Sequence, residues 1–178
     1  MRRRFAALVL VCCAAGSTAR AQSATVPQKL GAEFLDQFKS SMQKFIALAE
    51  AMPADKYTWS PGAGVMTVAR VYGHVARYNY MYPATAMGIA SPSGVNLDTL
   101  EAMTDKAQIV ALLRRSGDHV REQVTPLSDT QLARGTTLYG RDVQQWAVLL
   151  QLVAHMNEHL GQSIAYARMN GVVPPWSQ

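Results

Sequence analysis

The chain has 178 residues, 49% of them hydrophobic, with 17 Lys plus Arg against 12 Asp plus Glu and a formal net charge of +5. That length suits one domain with a sizeable core. The positive balance does not mark a nucleic-acid binder, because four arginines sit near the start and no basic stripe follows.

The beginning reads as an export signal. Arg2, Arg3 and Arg4 form a basic start, and 5–15 is an apolar run too short to span a bilayer. Ala19-Arg20-Ala21 then offers small residues at the two positions a signal peptidase reads, which places cleavage before Gln22. Residues 1–21 are thus expected to be a signal peptide and 22–178 the mature domain, periplasmic or secreted. Removal of Arg2, Arg3, Arg4 and Arg20 lowers Lys plus Arg from 17 to 13, leaving about +1 against the 12 acids. Cys12 and Cys13 leave as well, and Val11 is not the small residue that lipoprotein processing requires. The mature chain then has no disulfide, thiolate ligand or cysteine nucleophile. No later apolar run approaches a membrane span, so no stable membrane insertion is expected.

Four long helical patterns follow. Phe34, Phe38, Met42, Phe45, Ile46 and Ala49 recur at three- and four-residue steps, predicting a helix over 29–51 that stops before Pro53. Residues 57–64 are turn-rich, with Tyr57 and Trp59 expected to cover one end of the core. A second helix is predicted over 67–82, with Thr67 as N-cap, Val68, Val71, Tyr72, Val75, Tyr78 and Tyr82 as its apolar stripe, and an end or kink at Pro83. Asn79 falls near the middle of that stripe and needs a hydrogen-bond partner if buried. Residues 88–96 form a loop and 97–103 a short helical turn. Thr104 is expected to cap a third helix reaching residue 124, with His119 at its surface or boundary. After a connection over 126–140, a fourth helix starts near Asp142, whose carboxylate suits a helix N-terminus, and closes at Asn170-Gly171 before Pro174-Pro175. No alternating strand, internal repeat or heptad run stands out. The expectation is an all-α four-helix bundle, an architecture that commonly holds metal between facing helices.

The chemistry centres on His155-Met-Asn-Glu158-His159. Two histidines four apart on a helix share nearly one face, about 6 Å apart along the axis, a spacing that suits one divalent cation. His74, on the second helix, could supply a third imidazole. Three neutral imidazoles leave coordination positions open for water or substrate, the mark of a catalytic site, but do not choose among zinc, nickel, iron(II) and manganese. His155-x-x-Glu158-His159 also matches the inverted zinc-peptidase pattern. That pattern needs an acidic ligand downstream, and no Asp or Glu follows His159. Glu158 is the catalytic candidate, with a solvated or outer position as its other reading, since an ideal helix aims it toward the polar side. Gln162 is either a partner of the ligands or exposed. There is no Glu-x-x-His di-iron signature, nucleophile elbow or glycine-rich phosphate loop.

Taken together, these residues resemble the DinB/YfiT-like superfamily. The resemblance covers nearly the whole mature chain. It runs through Met52-Pro53 with Tyr57 and Pro61, Gly73-His74-Val75-Ala76 with Asn79, and His155-Met-Asn-Glu-His159-Leu-Gly-Gln162. It continues through Tyr166-Ala-Arg168-Met-Asn-Gly171-Val-Val-Pro-Pro175, an ending like that of an exported subgroup. The resemblance implies a four-helix bundle with a divalent metal on His74, His155 and His159. Some relatives are metal-dependent transferases acting with low-molecular-weight thiols, including an isomerase, and dimers are common. It implies no role in handling DNA. The expected function is therefore a metal-dependent hydrolase or thiol transferase acting on a small molecule. The rival is a non-catalytic bundle that binds a small ligand or partner; fold does not settle reaction.

Overall fold

The computed structural model describes residues 29–177, so the expected signal peptide lies outside the described residues. The first helix, α1 (Leu30–Ala51), buries Phe34, Phe38, Met42, Phe45, Leu48 and Ala49, the stripe its spacing predicts. Each such large apolar side chain contributes about 1.5–3 kcal/mol on burial. Phe45 meets Tyr72 edge-on at 5.4 Å, and the buried Tyr57 hydroxyl donates to the Ala49 carbonyl at 2.7 Å.

The second helix, α2 (Val68–Met87), starts as expected, with the Thr67 hydroxyl accepting the Arg70 N–H at 3.2 Å. Its end differs. The helix runs on through Pro83 and closes at Gly88, whose φ of 71° suits a residue without Cβ. Proline costs the helix one hydrogen bond. The turn beyond it is held because the Gly88 and Ile89 amides both donate to the Pro83 carbonyl. Tyr80 and Tyr82 are buried on this helix, whereas Tyr78 is only half-buried.

Asp105, not Thr104, caps α3 (Lys106–Val124), its carboxylate accepting the Gln108 N–H at 2.8 Å. A carboxylate there is favoured by the helix dipole as well as by the hydrogen bond. A one-turn helix, α4 (Asp129–Leu132), follows behind a Ser128–Gln131 capping box.

The clearest departure from expectation comes next. The strands β1 (Gly135–Leu138) and β2 (Arg141–Gln144) pair antiparallel, with Leu138 opposite Arg141. Their two-residue turn, Tyr139-Gly140, has φ of 52° and 73°, the positive pair a primed hairpin turn requires. Four residues of alternation are too few to rise above noise, and tyrosine is an unusual first turn residue, so the hairpin was hidden. Asp142 pairs with Thr137 in this ribbon instead of starting a helix. The last long helix, α5 (Gln145–Met169), begins three residues later and ends at Gly171, also at positive φ.

The four long helices pack in a ring ordered α1, α3, α2, α5. In this ring α2 and α5 share a seam although α3 and the hairpin separate them in sequence. Asn79, buried on α2, donates to Ser116 of α3 at 3.1 Å, so it ties two helices together. No helix among the described residues is long and apolar enough to cross a membrane.

Candidate metal centre

His74 projects from α2, and His155 and His159 from successive turns of α5, into the α2–α5 seam. One ring nitrogen from each lies within 4.8 Å of the others. Nε2 of His74 and Nε2 of His155 stand 3.1 Å apart. Zinc–nitrogen bonds in a tetrahedral site put ligand nitrogens about 3.3 Å apart, so these two rings already have the spacing of a shared ion. His155 and His159 are each 9% exposed. The seam reaches solvent most readily at the His74 and Tyr78 side, where both residues are half-buried.

The other face of each ring explains how the nitrogens are aimed. His74 Nδ1 lies 2.9 Å from Glu101 Oε1, and a carboxylate only accepts, so Nδ1 carries the proton and Nε2 keeps its lone pair. His159 Nδ1 lies 2.8 Å from Gln162 Oε1, whose amide nitrogen donates to the Tyr166 hydroxyl at 2.9 Å. His159 is thereby set as the same tautomer. Such hydrogen bonds orient metal-binding imidazoles and raise their basicity. Gln162 thus takes the partner reading.

Burial lowers the pKa of His74, outweighing the opposing pull of the Glu101 hydrogen bond and charge. Burial, then the nearby His159 and His74 rings, brings His155 down to about 4. Both rings are neutral at pH 7, as a metal requires. Burial alone would raise the Glu101 carboxyl; the His74 hydrogen bond and the Arg70 guanidinium prevail and hold it below the ordinary range.

Glu101 was invisible to spacing. It lies in a one-turn 3-10 segment, Leu100–Ala102, packed on α2. That approach depends on Gly73. A Cβ there would overlap the Leu100 carbonyl oxygen and sit 3.2 Å from the Glu101 Cα. Arg70 Nε donates to Glu101 Oε2 at 3.2 Å and Arg77 lies 3.9 Å from Oε1. A glycine inside a helix beside a histidine was the signal that another backbone comes close.

The remaining candidates stand elsewhere. Glu158 is exposed and is not among the groups that meet in the seam. His119 is 7% exposed, its ring tilted against that of Tyr80 at 5.2 Å on the α3 side. It is a buried residue away from the three histidines, not the surface or boundary one its helical angle suggested. Aromatic rings wall the centre: Tyr78 lies 4.5 Å from His74 and 4.4 Å from His155, and Tyr82 stands edge-on to His155 at 5.8 Å.

The model of the DinB superfamily matches residues 37–167, which take in most or all of each long helix and the three histidines. The chain belongs to the DinB superfamily. A DinB-like protein from Bacillus cereus aligns with a TM-score of 0.70 at 18% identity, over 80% of this chain and 93% of that one. A DinB-like protein from Bacillus subtilis aligns with a TM-score of 0.64 at 22% identity, over 79% of this chain and 93% of that one. At these identities the likeness shows the fold. A comparison with curated proteins finds no match. The donor set fits a divalent ion: three imidazoles, two with the tautomer fixed, and ring nitrogens that converge within 4.8 Å.

Proposed function

We propose that this DinB-superfamily chain is an exported metalloenzyme that acts on a small molecule, with His74, His155 and His159 as its metal ligands. The observation that carries this is that ring nitrogens of all three histidines converge within 4.8 Å while Glu101 and Gln162 engage the Nδ1 atoms of His74 and His159, which leaves their Nε2 lone pairs for an ion. A bound divalent ion would supply Lewis acidity and a more acidic water. Zinc, nickel, iron(II) and manganese all suit three imidazoles. The chain itself holds His74 and His155 neutral, fixes the tautomers of His74 and His159, and sets Tyr78 and Tyr82 beside the rings.

Hydrolysis is favoured over thiol transfer, because the segment 1–21 is proposed to send the chain out of the cytosol, where small thiols concentrate. Glu158, solvent-exposed on α5 beside His159 in sequence, is proposed to act in proton transfer. Association into a homodimer is part of this reading, as the superfamily resemblance suggests, and nucleic acid is not.

Metal analysis of the purified protein beside His155→Ala tests the core of the proposal. About one equivalent in the parent and a small fraction in the variant is expected. Equal, negligible metal in both sinks it. Glu158→Gln then separates the two views of that residue: a loss of turnover of about 100-fold or more supports proton transfer, and unchanged turnover makes it a solvated carboxylate.

A further inference from the structure

The turn residue Tyr139 is held in the left-handed region, φ 52°, where a primed turn ordinarily takes Asn, Asp or Gly. A bulky residue kept in such a conformation is a pointer to function rather than to folding economy. Its hydroxyl hydrogen-bonds the hydroxyl of Tyr82, while the side chain stays 63% exposed. Tyr82 is 1% exposed, and its ring stands at 90° to that of His155. Gln151 stands near the Tyr82 hydroxyl. Gln151, His155 and His159 occupy successive turns of one face of α5, so Gln151 lies about 6 Å along the axis from His155.

Resting on the metal-centre reading above, we propose that Tyr82, Tyr139 and Gln151 form a substrate-recognition subsite one helical turn from His155. It would select a small molecule that places one oxygen group at the three-histidine centre and a second, carboxylate or carbonyl, at the tyrosine pair. Two phenols bonded to each other use one proton between them and leave the other free to donate. An ordinary phenol is protonated at neutral pH, so the pair keeps its donor. The hairpin is anchored at a second point, where Thr136 donates to the Ala86 carbonyl in the turn that α2 adds beyond Pro83. The tip therefore has a defined position. An acyl or acid substrate suits a phenol donor and a cation together.

The test uses the purified protein loaded with cobalt(II), read by its visible absorption. Butyrate is compared with succinate, and valerate with glutarate. In the parent, one diacid of the two should bind about tenfold more tightly than its monoacid, the value of a hydrogen bond to a charged group. Tyr139→Phe should bring that ratio to about one while the monoacid affinities stay within about twofold. Tyr139 is exposed, and melting curves check the variant's fold; Gln151→Leu serves as a second variant, expected to lower the same ratio. If cobalt binds normally but neither variant changes the ratio, or no diacid is preferred, the tyrosine pair is only a latch for the hairpin and the proposal is overturned. If cobalt does not bind, the metal-centre reading falls first and takes this one with it.

Discussion

Glu101 accepts a hydrogen bond from His74 Nδ1 at 2.9 Å across 27 residues of sequence, on a turn whose approach requires glycine at position 73. The contact makes the carboxylate a positioning residue for an imidazole on another element. Glu101→Ala should lower metal affinity about 10- to 100-fold. Glu101→Gln, which keeps an acceptor oxygen, should lower it less. Competition with a chromophoric chelator measures both, and equal affinities in all three proteins would remove the carboxylate from the site.

Gly73→Ala should act on the same contact from the other side. The added methyl meets backbone, which cannot rotate away, so the Leu100–Ala102 turn must move. A loss of about 1–3 kcal/mol in urea unfolding is expected, the range for overpacked interiors. Metal affinity should fall with it, since Glu101 moves too.

Acid should destabilise the metal-free protein through His155. Its pKa is about 4 folded, against 6.5 for a free imidazole such as the unfolded chain presents. Above 6.5 neither state binds the proton and stability is full. As the pH falls from there toward 4, the unfolded chain takes up a proton that the folded one refuses, so stability declines by up to about 3 kcal/mol and then levels. Urea melts at about pH 7.5 and about pH 4.5 should show the decline, and His155→Leu should reduce it. An unchanged slope in that variant would assign the acid sensitivity to other groups.

Metal removal should lower thermal stability. An ion that binds the folded chain alone at 100 times its dissociation constant adds about 2.7 kcal/mol. Chelation should therefore lower Tm by several degrees, and a calorimetric scan before and after re-addition measures it. His159→Ala should show no such response.

The sequence displayed the helices because their apolar residues recur at helical steps, and Phe34 through Ala49 lie buried where that pattern puts them. It displayed the three histidines through a local spacing and one distant partner. What it hid has one cause: contacts made across long sequence separation leave no periodic trace. Glu101 is such a case, a lone acid in a three-residue turn. Tyr139 is another, since a four-residue strand carries too little alternation and the left-handed turn takes an atypical residue. His119 shows the converse, where an angle computed along one helix ignored Tyr80 packing from a second. Pro83 shows that a breaker is only an average cost, offset here by the amides that converge on its carbonyl.

The ring order of the helices has a consequence for how an ion would be acquired. His74 sits in the first half of the chain, and its two companions lie 81 and 85 residues onward, on the last long helix. A chain still being made or threaded carries one of these rings without the others, and a single imidazole holds a cation weakly. Capture must then wait until α5 has docked. For a chain exported before it folds, the destination compartment would decide which cation is taken.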